Sequence, residues 1–425
     1  MRTLLVLLPV LLGADAGVPD ASGRPAAYAE ARQSFVRALE SGALDEARAA
    51  LARRRAAAPG RVDVGYDLAC VEARAGQADR AFAALGPVAG AGLDVDPTVD
   101  TDLASLRGDS RWAPLLARFA ASHAPVSPKG STLDVPPGLG LVEDVVEDPR
   151  TRDIFVSSVR TGEVWRHASG SWKRWAHPAP SGSGAFALGI DAGRRLLHVS
   201  VGAVPRSEGY RKPNEGRSAL VTYRLADGAE LARHEAPGEG RHLLGDLTVT
   251  PDGTVLVSDA LAGTVLRLRP GGASLEALVP PHTFVSPQTP ALAADGKTIL
   301  VPDWTLGLLG LPLAGGTPEP VRGPDDLVTG GIDGLVAVEG GVLAVQNGIV
   351  VPRLVRLWLD PAGGRITRWT VLAQGPELAD PTHVVTGHGG ALAIADSGWA
   401  RFTGEGSVRP NAPAPRLRLL RLDLH

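Results

Sequence analysis

The chain is short of several residue types, and each shortage excludes something. One cysteine, Cys70, stands among 425 residues, so no internal disulfide can form in any compartment. Its surroundings, Asp67-Leu68-Ala69-Cys70-Val71, are apolar and helical in pattern, which marks it as a small buried hydrophobe. Aromatic residues make up 4% of the sequence, too few for a row of base-stacking platforms. Charge is nearly balanced at −3 with no lysine/arginine run, so the electrostatic footprint of a nucleic-acid binder is missing. No apolar run is long enough to span a bilayer. Also missing are a Gly-x-Ser-x-Gly nucleophile elbow, a phosphate-binding glycine loop ending in Lys-Ser/Thr, and any His/Cys cluster at zinc spacing.

What the chain does have falls into three parts. Met1-Arg2-Thr3, an apolar stretch over 4–12 and the small-x-small signal Ala14-Asp15-Ala16 predict a signal peptide over residues 1–16. The mature protein is then secreted or periplasmic, with no membrane span. Residues 27–119 carry Ala, Leu, Arg and Glu at helical spacing. Within them Gly42-Ala43-Leu44-Asp45-Glu46-Ala47 recurs as Gly76-Gln77-Ala78-Asp79-Arg80-Ala81, an offset of 34 residues. That is the period of the tetratricopeptide repeat, which this stretch resembles. Such repeats present a groove to a peptide or protein partner; a helical cap packed on the rest of the chain is the other reading. A Pro/Ser-rich linker follows over 120–137.

The 52 glycines and 35 prolines suit many tight turns between short strands. Across residues 143–396 one phrase recurs six times: a short apolar strand, a Gly-bearing turn and a second apolar strand. Gly245–Asp259 and Pro290–Asp303 are the clearest copies, and the others begin near Glu143, Leu188, Asp333 and His383. Strand units at this spacing predict a six-bladed β-propeller over 138–425, mainly β behind an α-helical N-terminal domain. Strands at 131–135 and 417–424 are expected to close the last blade together and so remove an exposed sheet edge.

The starts of the innermost strands line one mouth of a propeller channel. Glu143, Leu188, Asp246 beside Gly245, Gln288, Asp333 and His383 fall in that column. Three carboxylates and an amide converging on one axis point to a hard divalent cation, with calcium the best match for oxygen ligands. Singly, Asp246, Asp252, Asp295 and Asp333 also suit turns, where Asp bonds its own backbone. His383 in Asp380-Pro381-Thr382-His383 is a candidate general base or orienting group, or a hydrogen-bonded structural histidine. His242 has the same standing. Trp304 and Trp399, past second strands, are candidate apolar walls for a ligand or fillers between blades.

The propeller part resembles the regucalcin/gluconolactonase family, and more distantly the paraoxonase-like lactonases. The resemblance rests on Val142-Glu143-Asp144-Val145-Val146, Pro287-Gln288-Thr289-Pro290-Ala291-Leu292 with Asp295-Gly296-Lys297-Thr298, and Ile332-Asp333-Gly334-Leu335-Val336. It implies a divalent metal held by Glu143 and Asp333, with Asp333 as base for opening a lactone. Gln288 stands where one family asparagine is expected and Gly245 where the other is, with Asp246 as the substitute. Leu188 and Leu243 replace a family histidine and a substrate-binding arginine. The sequence thus predicts an exported metal-dependent hydrolase of a small ester or lactone. The alternative is a non-catalytic protein binding a peptide, sugar or protein partner at the mouth or through the helical repeats.

Overall fold

The structure is a computed structural model that describes residues 23–424. The expected signal peptide lies outside the described residues. Among them are six antiparallel four-stranded sheets, five of them in simple chain order. The innermost strands are Val142–Glu147, Gly184–Asp191, Leu244–Val249, Ala291–Leu292, Ile332–Val338 and Val384–Gly387, and they open blades 1 to 6. Inner strands touch between blades 1 and 2, 2 and 3, 4 and 5, 5 and 6, and 6 and 1, and Thr289 bonds Asp246 between blades 4 and 3, giving the expected six-bladed propeller.

Burial explains the strand pattern. Second strands such as Ile154–Ser158 and Val255–Asp259 are buried at every position, because both of their faces meet a neighbouring blade. Such strands read as continuous apolar runs. Outer strands such as Ser171–Ala176 are largely solvated and polar. The hairpin turns are fixed by their acids: Asp252 Oδ1 accepts from Thr254 N (3.0 Å), and Asp295 Oδ1 accepts from Lys297 N (2.8 Å) and Thr298 N (2.9 Å). Asp252 and Asp295 are turn residues.

Blade 6 departs from chain order. Its strands run Gly130–Asp134, Arg418–Asp423, Gly390–Asp396, Val384–Gly387, with the first antiparallel to the second. Both ends of the propeller segment therefore close the ring, as expected from the sequence.

Five helices precede the propeller: α1 (Gly23–Ser41), α2 (Leu44–Ala57), α3 (Asp63–Arg74), α4 (Ala78–Gly90) and α5 (Trp112–Ser122). Helix α1 pairs with α2, and α3 with α4. The turns between them place Gly42 (φ 74°) and Gly76 (φ 70°) in the left-handed region that favours glycine, which accounts for the repeated glycine. Fully buried Ala47, Ala50 and Ala81 sit on the packed faces.

The helices are packed on blades 4 and 5. Tyr28, Ala57 and Ala58 share an apolar cluster with Phe284 and Leu306, and Leu85, Leu93 and Leu103 share another with Val328, Ile349 and Val350. Main-chain bonds tie Thr329 N to Gly60 O (3.0 Å) and Val351 N to Gly92 O (3.0 Å), while Arg61 Nη1 donates to Thr305 O (3.0 Å). Gly60 lies so close to Thr329 Oγ1 that a Cβ there would collide with it. These contacts are those of a cap. They involve loops at the end where the inner strands begin, so the helical region flanks the propeller mouth.

Candidate functional site at the propeller mouth

The mouth is built by a repeated irregularity. In blades 1, 2, 3 and 5 the register between inner and second strands shifts just inside the mouth. In blade 1, for example, Val142 pairs with Ser158 and Val145 with Val156, so Glu143 and Asp144 together face Ser157. A bulge of this kind turns two successive side chains toward one side. In blades 1 and 3 a serine of the second strand bonds to the next blade beside it: Ser157 Oγ donates to Phe186 O, and Ser258 Oγ donates to Gln288 O (2.6 Å).

Two tiers of side chains follow. The tier nearer the mouth is Glu143, Phe186, Gly245, Gln288, Asp333 and Thr382; the tier below is Asp144, Ala187, Asp246, Thr289, Gly334 and His383. The column read from the sequence mixes these levels. It takes Glu143, Gln288 and Asp333 from the upper tier and Asp246 and His383 from the lower. Leu188 belongs to neither; its side chain packs in the core between blades, while its N–H donates to Asp144 Oδ2 (2.7 Å).

The lower tier is a hydrogen-bonded bridge across the channel. His383 Nε2 lies 3.0 Å from Asp144 Oδ1, and Nδ1 lies 3.4 Å from Thr289 Oγ1, which donates to Asp246 Oδ1 (2.7 Å). Nδ1 is also 4.0 Å from that Asp246 oxygen. Asp144 accepts from Val145 N (2.5 Å) as well as Leu188 N. His383 is thus hydrogen-bonded on both ring nitrogens and connects blade 6 to blades 1 and 4. Burial pushes it down to about 3 and pushes Asp144 well up, with the two backbone donors on Asp144 pulling partly back.

In the upper tier Glu143 Oε2 accepts from the indole N–H of Trp399, and Asp333 Oδ2 accepts from Asn347 Nδ2 (2.7 Å). Asn347 Nδ2 also donates to Pro381 O (2.7 Å), which turns its carbonyl oxygen away with no hydrogen-bond partner. Burial raises the proton affinity of Glu143 well above the carboxylate range, and the Asp333, Asp246 and Asp144 charges raise it further. Asp333 is raised first by burial and then by Asp246, against the Asn347 donor. Burial pushes Asp246 up to about 6. Four carboxyls thus converge, and the nearby cation is Arg206, stacked on Trp399 at 4.9 Å and itself lowered by burial and Arg409.

Gln288 is buried with its Nε2 bonded to Ser286 O (3.1 Å) and Ser286 Oγ (3.0 Å). At Gly245 a Cβ would meet only Ala260, so this position is a gap in the upper tier. Among the described residues, the group of three acid, His or Cys side chains with ligand atoms within 4.8 Å of one another is Cys70, Asp100 and Asp102, in the helical region. There Asp100 already accepts from Tyr66 Oη (3.0 Å) and Asp102 N (3.0 Å), as the cap of a short helical turn. The mouth acids stand further apart than that. Asp144, Thr289, Asn347 and the Glu143 contact of Trp399 were not singled out from the sequence. A signal for the first two was present, since each directly follows a residue of the predicted column.

No helix among the described residues is long and apolar enough to cross a membrane. Comparison with protein-family models finds no match, and comparison with curated proteins finds none either. Among solved structures, the chain is similar to a protein from Thermus thermophilus provisionally assigned as an oxidoreductase (glucose dehydrogenase), at 18% identity and a TM-score of 0.50. That match covers 68% of this chain and 99% of the other. Virginiamycin B lyase from Staphylococcus aureus matches at 11% identity and a TM-score of 0.45, over 70% of this chain and 99% of that one. Likeness at this identity shows the fold, and the fold is a six-bladed β-propeller.

Proposed function

We propose that the chain is an exported, divalent-metal-dependent hydrolase of a small ester or lactone, of the gluconolactonase-like type. One observation carries this reading: Glu143, Asp246 and Asp333 are buried together at the mouth, and each has its proton affinity raised. Such a cluster is relieved either by protons or by a cation. Its donors are oxygens, which suits calcium at roughly 2.3–2.6 Å. Glu143 and Asp333 would hold the ion, with Asp246 and Gln288 as the remaining donors of the expected set. When bound, the ion supplies Lewis-acid polarisation of a carbonyl oxygen. Trp399 orients Glu143, Asn347 orients Asp333, and Asp333 is the proton acceptor implied by the family resemblance. His383 is tied into the lower bridge, so its contribution is to position Asp144 and, through Thr289, Asp246.

The test is thermal unfolding with and without millimolar calcium. A rise in midpoint that disappears in the Glu143→Gln plus Asp333→Asn double variant supports the site. An unchanged midpoint in the parent chain counts against it. Hydrolysis of a panel of lactones and esters, with and without chelator, then decides the chemistry.

A second reading, a non-catalytic protein that holds a peptide, sugar or protein partner at the mouth or on the helices, is favoured by two observations. Gly245 offers no ligand atom, and the Gln288 amide is engaged by Ser286. On that reading the panel and the calcium shift both come out blank.

A further inference from the structure

The six blades are internal controls for one another. At the mouth end of blades 3 and 4 an aspartate that ends the second strand ties down the incoming loop. In blade 4, Asp303 is saturated by four backbone donors: Val285 N (2.7 Å), Ser286 N (3.1 Å), Thr305 N (2.9 Å) and Leu306 N (2.8 Å). In blade 3, Asp259 accepts from Leu243 N (3.0 Å) and Ala262 N (3.1 Å), but its Oδ2 is given to His242 Nδ1 at 2.7 Å. The positions matching His242, three residues before each upper-tier residue, are Gly140, Ser183, Val285, Gly330 and Ala379. Blade 3 alone places a titratable ring there.

Facing a fully buried carboxylate, which can only accept, His242 Nδ1 donates to Asp259 and Nε2 points away from the pair. Nε2 is buried and has no hydrogen-bond partner. His242 is 9% exposed. Its neighbour Leu243 lies in one apolar cluster with Phe402 and Trp399, the residue that holds Glu143. Gly245, three residues on, leaves the upper tier open on this side.

We propose that His242, oriented by Asp259, is a second proton-accepting site at the mouth, serving the hydrolysis proposed above from the blade 3 side. The inference rests on that reading and separates two duties that it assigns to Asp333. A carboxylate that neutralises a cation is a poor base, so the attacking water needs another acceptor. As the water oxygen bonds to the carbonyl carbon, its proton passes to His242 Nε2. When the bond from that carbon to the leaving oxygen breaks, the same proton returns to the leaving oxygen, and His242 is again neutral.

The test uses the full mature chain with calcium, and p-nitrophenyl acetate and δ-valerolactone as probes. In His242→Gln the kcat is expected to fall by about 10²–10⁴-fold, with KM within about threefold and the calcium-dependent midpoint shift retained. Asp259→Asn, checked for folding by circular dichroism, should fall in the same direction. An active parent chain with an equally active His242→Gln overturns the inference and leaves the hydrolase reading standing. If the parent chain hydrolyses neither probe, the hydrolase reading fails, and the pair is judged by diethyl pyrocarbonate labelling with peptide mapping. Labelling of His242 that is slowed about tenfold or more by Asp259→Asn supports the reactive pair. A His242 left unlabelled while His388 is fully modified overturns it.

Discussion

Replacing Asp246 by Asn should stabilise the metal-free protein at alkaline pH, which is unusual for a change at a buried hydrogen-bonded residue. Burial shifts the Asp246 carboxyl from 3.8 to about 6. At about 1.36 kcal/mol per pKa unit this corresponds to roughly 3 kcal/mol of differential interaction. The folded state binds the proton more tightly than the unfolded chain does. The contribution to stability is therefore fully present below about pH 4 and is lost as the pH rises through about 6. An asparagine cannot ionise, yet its carbonyl oxygen still accepts from Thr289, 2.7 Å away in the parent protein. At pH 8 in chelator the variant should gain on the order of 1–3 kcal/mol. With about 2.1 cal/mol/K of unfolding entropy per residue over a propeller of about 290 residues, that is a rise of roughly 2–5 °C. The gain should vanish near pH 4, and millimolar calcium should reverse the order by stabilising the parent alone. Circular-dichroism melts across pH 4–8, with chelator and with calcium, read all of this. If Asp246→Asn melts below the parent at pH 8 in chelator, the carboxyl is not under electrostatic strain, and the case for a cation at the mouth goes with it.

Trp399→Phe removes the donor to Glu143 and should cost about 1–2 kcal/mol, measured by chemical denaturation; it should also weaken any calcium-dependent shift, because Glu143 then holds its proton harder. Gly60→Ala forces a methyl against Thr329 and should lower stability by about 1–3 kcal/mol, with faster proteolytic release of the helical region as the readout. Deleting residues 130–134 exposes one edge of Arg418–Asp423 and should produce concentration-dependent aggregation in light scattering. Thr289→Val breaks the link between His383 and Asp246 and should destabilise by about 1 kcal/mol, seen as a lower denaturation midpoint.

The ring was legible because its sequence signals are local. Turn pairs such as Asp252-Gly253 and Asp295-Gly296 sit between buried runs whose spacing is set by strand length. The repeated Gly42 and Gly76 marked equivalent helix–helix turns for a similar reason. The site was only partly legible. Glu143, Asp246 and Asp333 do converge, but a residue's tier depends on a bulge, and each bulge is a register shift between paired strands. Nothing in the neighbouring residues reveals that. Asn347 lies 14 residues from Asp333 across the blade 5 hairpin, while Trp399 lies 256 residues from Glu143, so only the closed ring brings that second pair together. The mounting of the helices on blades 4 and 5 was similarly invisible, because it depends on Gly60 and Gly92 lying against the propeller loops.

The pairing of Gly130–Asp134 with Arg418–Asp423 bears on how the chain reaches its native state. A strand made early must stay unpaired until nearly the whole propeller has been synthesised, and blade 6 lacks its outer member until then. No sub-set of blades can form a sealed ring, so the arrival of Arg418–Asp423 decides whether the whole wheel locks. A frameshift or protease clip in that final strand would unfasten the molecule far out of proportion to its length, while a similar lesion in the outer strand of another blade would leave the seam intact.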